Sequence, residues 1–217
     1  MKAILFDLDN TLYPPERDLF SLIDVRINRY MEEVVGIAAD RVDGLRRRYW
    51  RDYGATLQGL VRHYRIDPED YLHYVHDVDV AERLDLDAEL ADRLAALPVP
   101  CFVFTNGSSD HAGRVLDALG IAEHFDGIFD IRIANYQPKP NLDPYQGVLK
   151  ALELPAGSCV MVEDSLDNLR TAKQLGMKTV LVGVGPAADF VDHHTEDILE
   201  AAGLLEHLHA ASAGTVS

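Results

Sequence analysis

Two aspartates, Asp7 and Asp9, follow directly on the apolar run Ala3 to Phe6. A sheet interior does not tolerate such a pair, so both belong just past a strand's carboxyl end, the edge where open α/β sheets bind ligands. A solvated aspartate turn is the competing reading of that spacing alone. Three later apolar runs also end in groups able to do chemistry. One ends at Thr105-Asn106-Gly107. A second is followed by Lys139, held between Pro138 and Pro140, whose fixed backbone would present the ammonium from a stiff segment. A third ends at Glu163-Asp164, with Asp167 in the following turn. Carboxylates brought so close repel one another and call for a hard divalent cation such as Mg²⁺, which takes oxygen ligands. The combination fits phosphoryl transfer. Asp7 can attack phosphorus and Asp9 can move a proton. Thr105 and Asn106 can hold phosphate oxygens, and Lys139 can neutralise charge. Asp7 and Asp164 are the expected side-chain ligands, with Glu163 either a ligand or a supporting acid.

The elements that must position these groups are legible as patterns. Ala3 to Phe6 reads as a strand buried on both faces of a parallel sheet. Cys101–Thr105, a stretch near Gly127–Ile133, Cys159–Val162 and Thr179–Val182 read as the further strands. Helical patterns alternate with them, over about 87–97, from Ser108 or Ser109 to Gly120, from Asp143 through Leu152, and over about 166–175. Such alternation predicts a doubly wound, parallel, Rossmann-like α/β sheet. Between the first strand and the rest lies a purely helical stretch. Phe20, Ile23, Ile27, Tyr30, Met31 and Val34 recur at three and four residues, stopping near Gly36. Further helices are expected over about 40–52, around Leu57 to Tyr64, and after Asp67-Pro68, an N-cap followed by a first helical position. The expected organisation is a core domain of residues 1–13 and 84–217 with an all-helical cap of residues 14–83. The tail from Ala210 reads as loose.

Composition bounds the partners. The chain has 217 residues, 47% hydrophobic and 26% charged, the balance of a soluble globular protein. A net charge of −16 argues against a nucleic acid polymer or an anionic membrane. No apolar stretch is long enough for a membrane span, and the short amino-terminal run predicts no signal peptide. Cys101 and Cys159 read as reduced core residues of a cytoplasmic protein.

DLDNT, TN, KP and EDSLDN, in this order and each after a strand, resemble the four motifs of haloacid dehalogenase-like (HAD) phosphohydrolases. The resemblance extends to about Gly185. It implies Asp7 as nucleophile, Asp9 as acid/base, Thr105 and Lys139 as phosphate binders, and Asp164 as a Mg²⁺ ligand together with Asp7 and the backbone carbonyl of Asp9. The helical insert is similar to the cap of subfamily I. DNTLYP, IDVRINRYM and YGATLQGL are similar to pyrimidine 5'-nucleotidases, which implies UMP or CMP as substrate. Related sugar-phosphate and phosphoglycolate phosphatases share the core motifs. The partner is then a small phosphorylated metabolite, met by a monomer or homodimer. A haloacid dehalogenase needs neither Asp9 nor Asp164. A receiver module phosphorylated on aspartate needs neither Asp9 nor a cap.

Other groups read as structural. Arg46, Arg47, Arg48 and Arg51 fit a solvated helix face, and His63, His73 and His76 fit surface positions. Trp50 and the tyrosines of the insert fit core positions. Tyr13, directly after the acidic loop, is the aromatic residue placed to matter.

Overall fold

The structure, a computed structural model, describes residues 1–186 and 188–213. Its strands are β1 (Ala3–Phe6), β2 (Cys101–Phe104), β3 (Gly127–Phe129), β4 (Cys159–Glu163), β5 (Lys178–Val182) and β6 (His193–Thr195). They form one sheet in the order β3-β2-β1-β4-β5-β6, with every pairing parallel. β1 is central because every residue in it is apolar. Ile4 and Phe6 enter the core cluster on one face, while Ala3 and Leu5 enter the cluster on the other. Helices α5 (Ala88–Ala95), α6 (Ser109–Leu119) and α9 (Ile198–Ala213) cover the first face, through Leu90, Val115 and Leu205 among others. Helices α7 (Leu142–Leu152) and α8 (Leu166–Gln174) cover the second, through Val148 and Leu169. The sheet is therefore wound on both faces, as expected.

The stretch between β1 and α5 carries α1 (Leu19–Arg29), α2 (Ala39–Tyr53), α3 (Thr56–Tyr64) and α4 (Pro68–Val75). Their apolar stripes close on a cluster of their own, with Ile27, Met31, Tyr49, Leu60 and Tyr71 at its centre. α2 and α3 approach closely because Gly59 has no side chain. A Cβ there would fall 2.0 Å from the Tyr49 ring. Asp67 caps α4 by accepting from the Glu69 N–H, the role its sequence predicts. Past α1 the chain continues as a wider turn over Tyr30–Val34, where the Val35 N–H reaches back to the Tyr30 carbonyl. Leu19 and Val80, both inside 14–83, pack in the sheet's core rather than in the insert's.

Several expectations change. The third strand is short, because Asp130 accepts from the Arg132 N–H and turns the chain into a 3-10 turn over Ile131–Ala134. β6 and α9 have no counterpart in the sequence reading. β6 is three polar residues, and the buried stripe of α9, Ile198, Ala201, Ala202 and Leu205, is blurred by further apolar residues such as Leu199 and Leu204 beside it. The helix continues past Ala210 to Ala213, so that part of the tail is helical; residues 214–217 lie outside the described residues. Trp50 is 67% exposed, not core. Both cysteines are free and buried, as expected. No helix among the described residues is long and apolar enough to cross a membrane.

Candidate active site

β1 ends where the Asp7 N–H donates to the Val162 carbonyl, at 2.9 Å, and the chain then leaves the sheet. The Thr11 and Leu12 N–H groups both return to the Leu8 carbonyl, a tight turn with Asn10 in the left-handed region at φ 64°. That turn sets Asp7 and Asp9 side by side at the sheet's carboxyl edge. The Thr11 hydroxyl donates to Asp7 Oδ2 at 3.2 Å.

Lys139 reaches the same point from the loop after β3. The residue is 2% exposed, and its ammonium uses all three donors: 2.7 Å to Asp7 Oδ1, 2.7 Å to the Phe104 carbonyl and 2.8 Å to Glu163 Oε2. Asn106 fixes that loop. Its amide oxygen accepts from the Lys139 N–H at 2.7 Å, and its amide nitrogen donates to the Lys139 carbonyl at 3.1 Å. The sequence reading gave this amide to phosphate; here it clips two motif loops together. Thr105 is buried, and its hydroxyl oxygen accepts from the Gly107 N–H at 2.9 Å.

Carboxylate oxygens of Asp7, Glu163 and Asp164 lie within 4.8 Å of one another. Glu163, 1% exposed, is committed elsewhere: Oε2 also accepts from the Asn168 amide at 3.0 Å, and Oε1 accepts from the Ser165 N–H at 3.3 Å. Asp164 is the exposed member. Asp167 does not join them. It faces outward on α8 and pairs with Arg170, because the first turn of that helix points its side chain away from the sheet edge.

The electrostatics follow from burying acids around one cation. Burial pushes Asp7 up to about 7, with Glu163 adding to the rise and Lys139 opposing it. Burial also pushes Glu163 up to about 7, against the pull of Lys139. Burial raises Asp164 as well. Burial alone would lower Lys139, but Asp7 and Glu163 outweigh it and keep the ammonium charged. An oxygen-only donor set with surplus negative charge fits Mg²⁺.

Asp9 has different neighbours. The Tyr13 hydroxyl donates to Asp9 Oδ1 at 2.6 Å, and His111 Nε2 lies 3.1 Å from the same oxygen. Burial would raise Asp9, but His111 and then Tyr13 outweigh it and hold the carboxyl below its ordinary value. His111 is fully buried and stacks on His76, with ring centroids 4.7 Å apart. His76 Nδ1 lies 3.0 Å from the Ser108 hydroxyl. The surface reading holds for His63 and His73 but fails for His76, which is buried at the end of α4 against α6. Burial, with His111 next, pushes His76 down to about 3. The sequence reading passed over His111. Its signal was present: His111, Val115 and Leu119 share one face of α6 at intervals of four, so an imidazole sits on a core-facing stripe one turn from the sheet edge.

Comparison with known proteins finds relatives over most of the chain. A glyceraldehyde 3-phosphate phosphatase of Methanocaldococcus jannaschii is 28% identical over 210 residues, covering 91% of each chain. A phosphoglycolate phosphatase of Rhodospirillum rubrum is 30% identical, covering 85% of this chain and 80% of that one. The phosphate metabolism protein 8 of Saccharomyces cerevisiae is 28% identical over 83% of this chain, which spans only 61% of that longer protein. Among solved structures, CbbY from Rhodobacter sphaeroides in complex with phosphate superposes with a TM-score of 0.64 at 22% identity, covering 92% of this chain and 96% of that one. The family description haloacid dehalogenase-like hydrolase matches residues 1–176, and the chain belongs to that family.

Proposed function

We propose that this protein is a Mg²⁺-dependent phosphomonoesterase that works through an aspartyl phosphate on Asp7. The observation that carries the reading is the Lys139 ammonium, 2.7 Å from Asp7 Oδ1, beside two further carboxylates. Asp7, Asp164 and the Asp9 carbonyl would hold the ion, which when bound neutralises charge on the phosphoryl oxygens. Lys139 favours the ionised form of Asp7 and aims the carboxylate. An Asp7 oxygen attacks phosphorus and the bond to the leaving oxygen breaks; Asp9, whose ionised form His111 and Tyr13 favour, must take up a solvent proton as substrate binds and then gives it to that oxygen. Asp9 then takes a proton from water, whose oxygen attacks the aspartyl phosphate, releasing phosphate and restoring Asp7. Thr105, buried just past β2, would bind a phosphoryl oxygen. Glu163, held by three donors, anchors Lys139 rather than the ion.

Residues 14–83 act as a cap of the subfamily I type and carry leaving-group specificity. The stretches DNTLYP, IDVRINRYM and YGATLQGL favour a pyrimidine nucleoside 5'-monophosphate. A second reading is a small non-nucleotide ester, favoured by relatives named as glyceraldehyde 3-phosphate and phosphoglycolate phosphatases. The test is phosphate release by the purified protein with Mg²⁺ from UMP, CMP, AMP, GMP, glyceraldehyde 3-phosphate and phosphoglycolate. The nucleotide reading expects the highest kcat/KM for UMP and CMP. A clear preference for either non-nucleotide ester refutes it while leaving the phosphatase chemistry intact. No release from any ester refutes both.

A further inference from the structure

We propose that Tyr13 and His111 are positioning residues that clamp the Asp9 carboxylate by one oxygen and leave the other for proton transfer. The inference rests on the reading of Asp9 as acid/base. Both donors converge on Oδ1, at 2.6 Å from the Tyr13 hydroxyl and 3.1 Å from His111 Nε2. An aspartate just past a strand end otherwise samples several rotamers. A proton donor displaced by about 1 Å can cost roughly 100-fold in rate.

The clamp is itself rigid. Tyr13 and His111 are among the most buried side chains of the core-facing surface around the site. A phenol carries one O–H, and that of Tyr13 is directed at Asp9 Oδ1. Facing a carboxylate, His111 Nε2 carries the proton; its other nitrogen, Nδ1, has no partner among the described residues. The imidazole is thus oriented by a single hydrogen bond and by its stack. His76 lies nearly parallel to it, at an interplanar angle of 11°, and is tied to Ser108. The Ser108 hydroxyl also accepts from the His111 N–H, at 3.3 Å. A histidine serving only as core filling would have no reason to spend Nε2 on the second aspartate of the site.

The test uses two esters. The leaving group of β-glycerophosphate needs a proton, whereas p-nitrophenolate leaves without one. Tyr13→Phe and His111→Leu should each lower kcat for β-glycerophosphate about 10- to 100-fold, with KM changed less than about threefold. With p-nitrophenyl phosphate they should show a burst followed by slow turnover. His111→Gln, which keeps a donor near the Nε2 position, should restore most of the rate lost in His111→Leu. In an Asp9→Asn background neither substitution should lower the rate further, because the group they position is gone. Equal losses in the first-turnover rate of alcohol release from both esters, or full additivity with Asp9→Asn, mean a general structural role and overturn the clamp. So do single variants with parent rates. If His111→Leu does not fold, Tyr13→Phe carries the same comparison. A parent enzyme inactive with Mg²⁺ on both esters and on every ester of the metabolite panel overturns the phosphatase reading and the clamp with it; an active parent with insensitive variants overturns the clamp alone.

Discussion

Replacing Lys139 with methionine keeps the side chain's volume and removes its charge. In the parent, the ammonium makes hydrogen bonds of 2.7, 2.7 and 2.8 Å, two of them to carboxylates that are themselves buried. Removing one partner of a buried ion pair typically costs about 3–5 kcal/mol, because the remaining charge is left uncompensated. Here two acids lose the same cation, so the upper part of that range is expected near pH 7.5. For a domain of this size each kcal/mol moves the midpoint by about 2–4 °C, giving a fall in Tm of roughly 10–20 °C. The deficit should depend on pH. Without Lys139, Asp7 and Glu163, already pushed up to about 7, rise further and bind protons in the folded state that the unfolded chain does not bind. The folded variant therefore gains stability as pH falls from about 8 towards 5, and the gap to the parent narrows. Removing a preorganised charge from a phosphoryl site should lower kcat about 100- to 1000-fold. Thermal unfolding at pH 5.5 and 7.5, alongside p-nitrophenyl phosphate kinetics with Mg²⁺, measures all three effects. A variant with parent Tm at pH 7.5 and a rate within about fivefold of the parent refutes the assignment of Lys139 as the cation that holds the site together.

Chelation should abolish activity and Mg²⁺ restore it, and Asp164→Ala should behave like the chelated enzyme; full turnover in excess chelator defeats the metal assignment. Because Asp7 is pushed up to about 7 without metal, binding the ion must displace its proton below that pH. Mg²⁺ affinity should therefore rise up to about tenfold per unit between pH 5.5 and 7 and level off above, as titration calorimetry would show; a flat profile contradicts the raised Asp7. In the metal-free parent the same raised carboxyls make stability fall as pH rises from about 4 to 7, and added Mg²⁺ should increase Tm more at pH 7.5 than at pH 5.5. Asp9→Asn should give a burst of about one p-nitrophenolate per site and almost no turnover of nucleotides; parent rates on nucleotides remove the acid/base role.

The sequence revealed the fold wherever periodicity was strong. β1 could be read because all of its residues are apolar and both faces are covered. Asp67 and Ser108 announced their helices because capping is a local bond. β6 and α9 escaped for different reasons: His193–Thr195 carries no apolar run, and in α9 Leu199 and Leu204 beside the buried stripe blur its period. The candidate site was legible where chemistry sits next to a strand end, as with Asp7 and Glu163, and where flanking prolines mark a stiff loop, as with Lys139. It was not legible where the contact spans the chain. Asp9 and His111 are 102 residues apart, and nothing local links them. His76 looked like surface because its helix is short and polar, yet packing against α6 buries it. Asp167 looked like part of the acidic group because it is close in sequence, but the direction of the first turn of α8 sends it to Arg170. Asn106 shows a further gap: its type was read, but its partner is the Lys139 backbone.

The central claim is that phosphate passes through Asp7. Asp9→Asn enzyme incubated with p-nitrophenyl phosphate and Mg²⁺, quenched in acid and analysed by intact and peptide mass spectrometry, tests it most directly. The account predicts a mass gain of one phosphoryl group per chain, confined to the peptide containing Asp7 and absent from Asp7→Asn. A phosphoryl group on any other residue, or product formed in a burst with no phosphorylated protein, contradicts it.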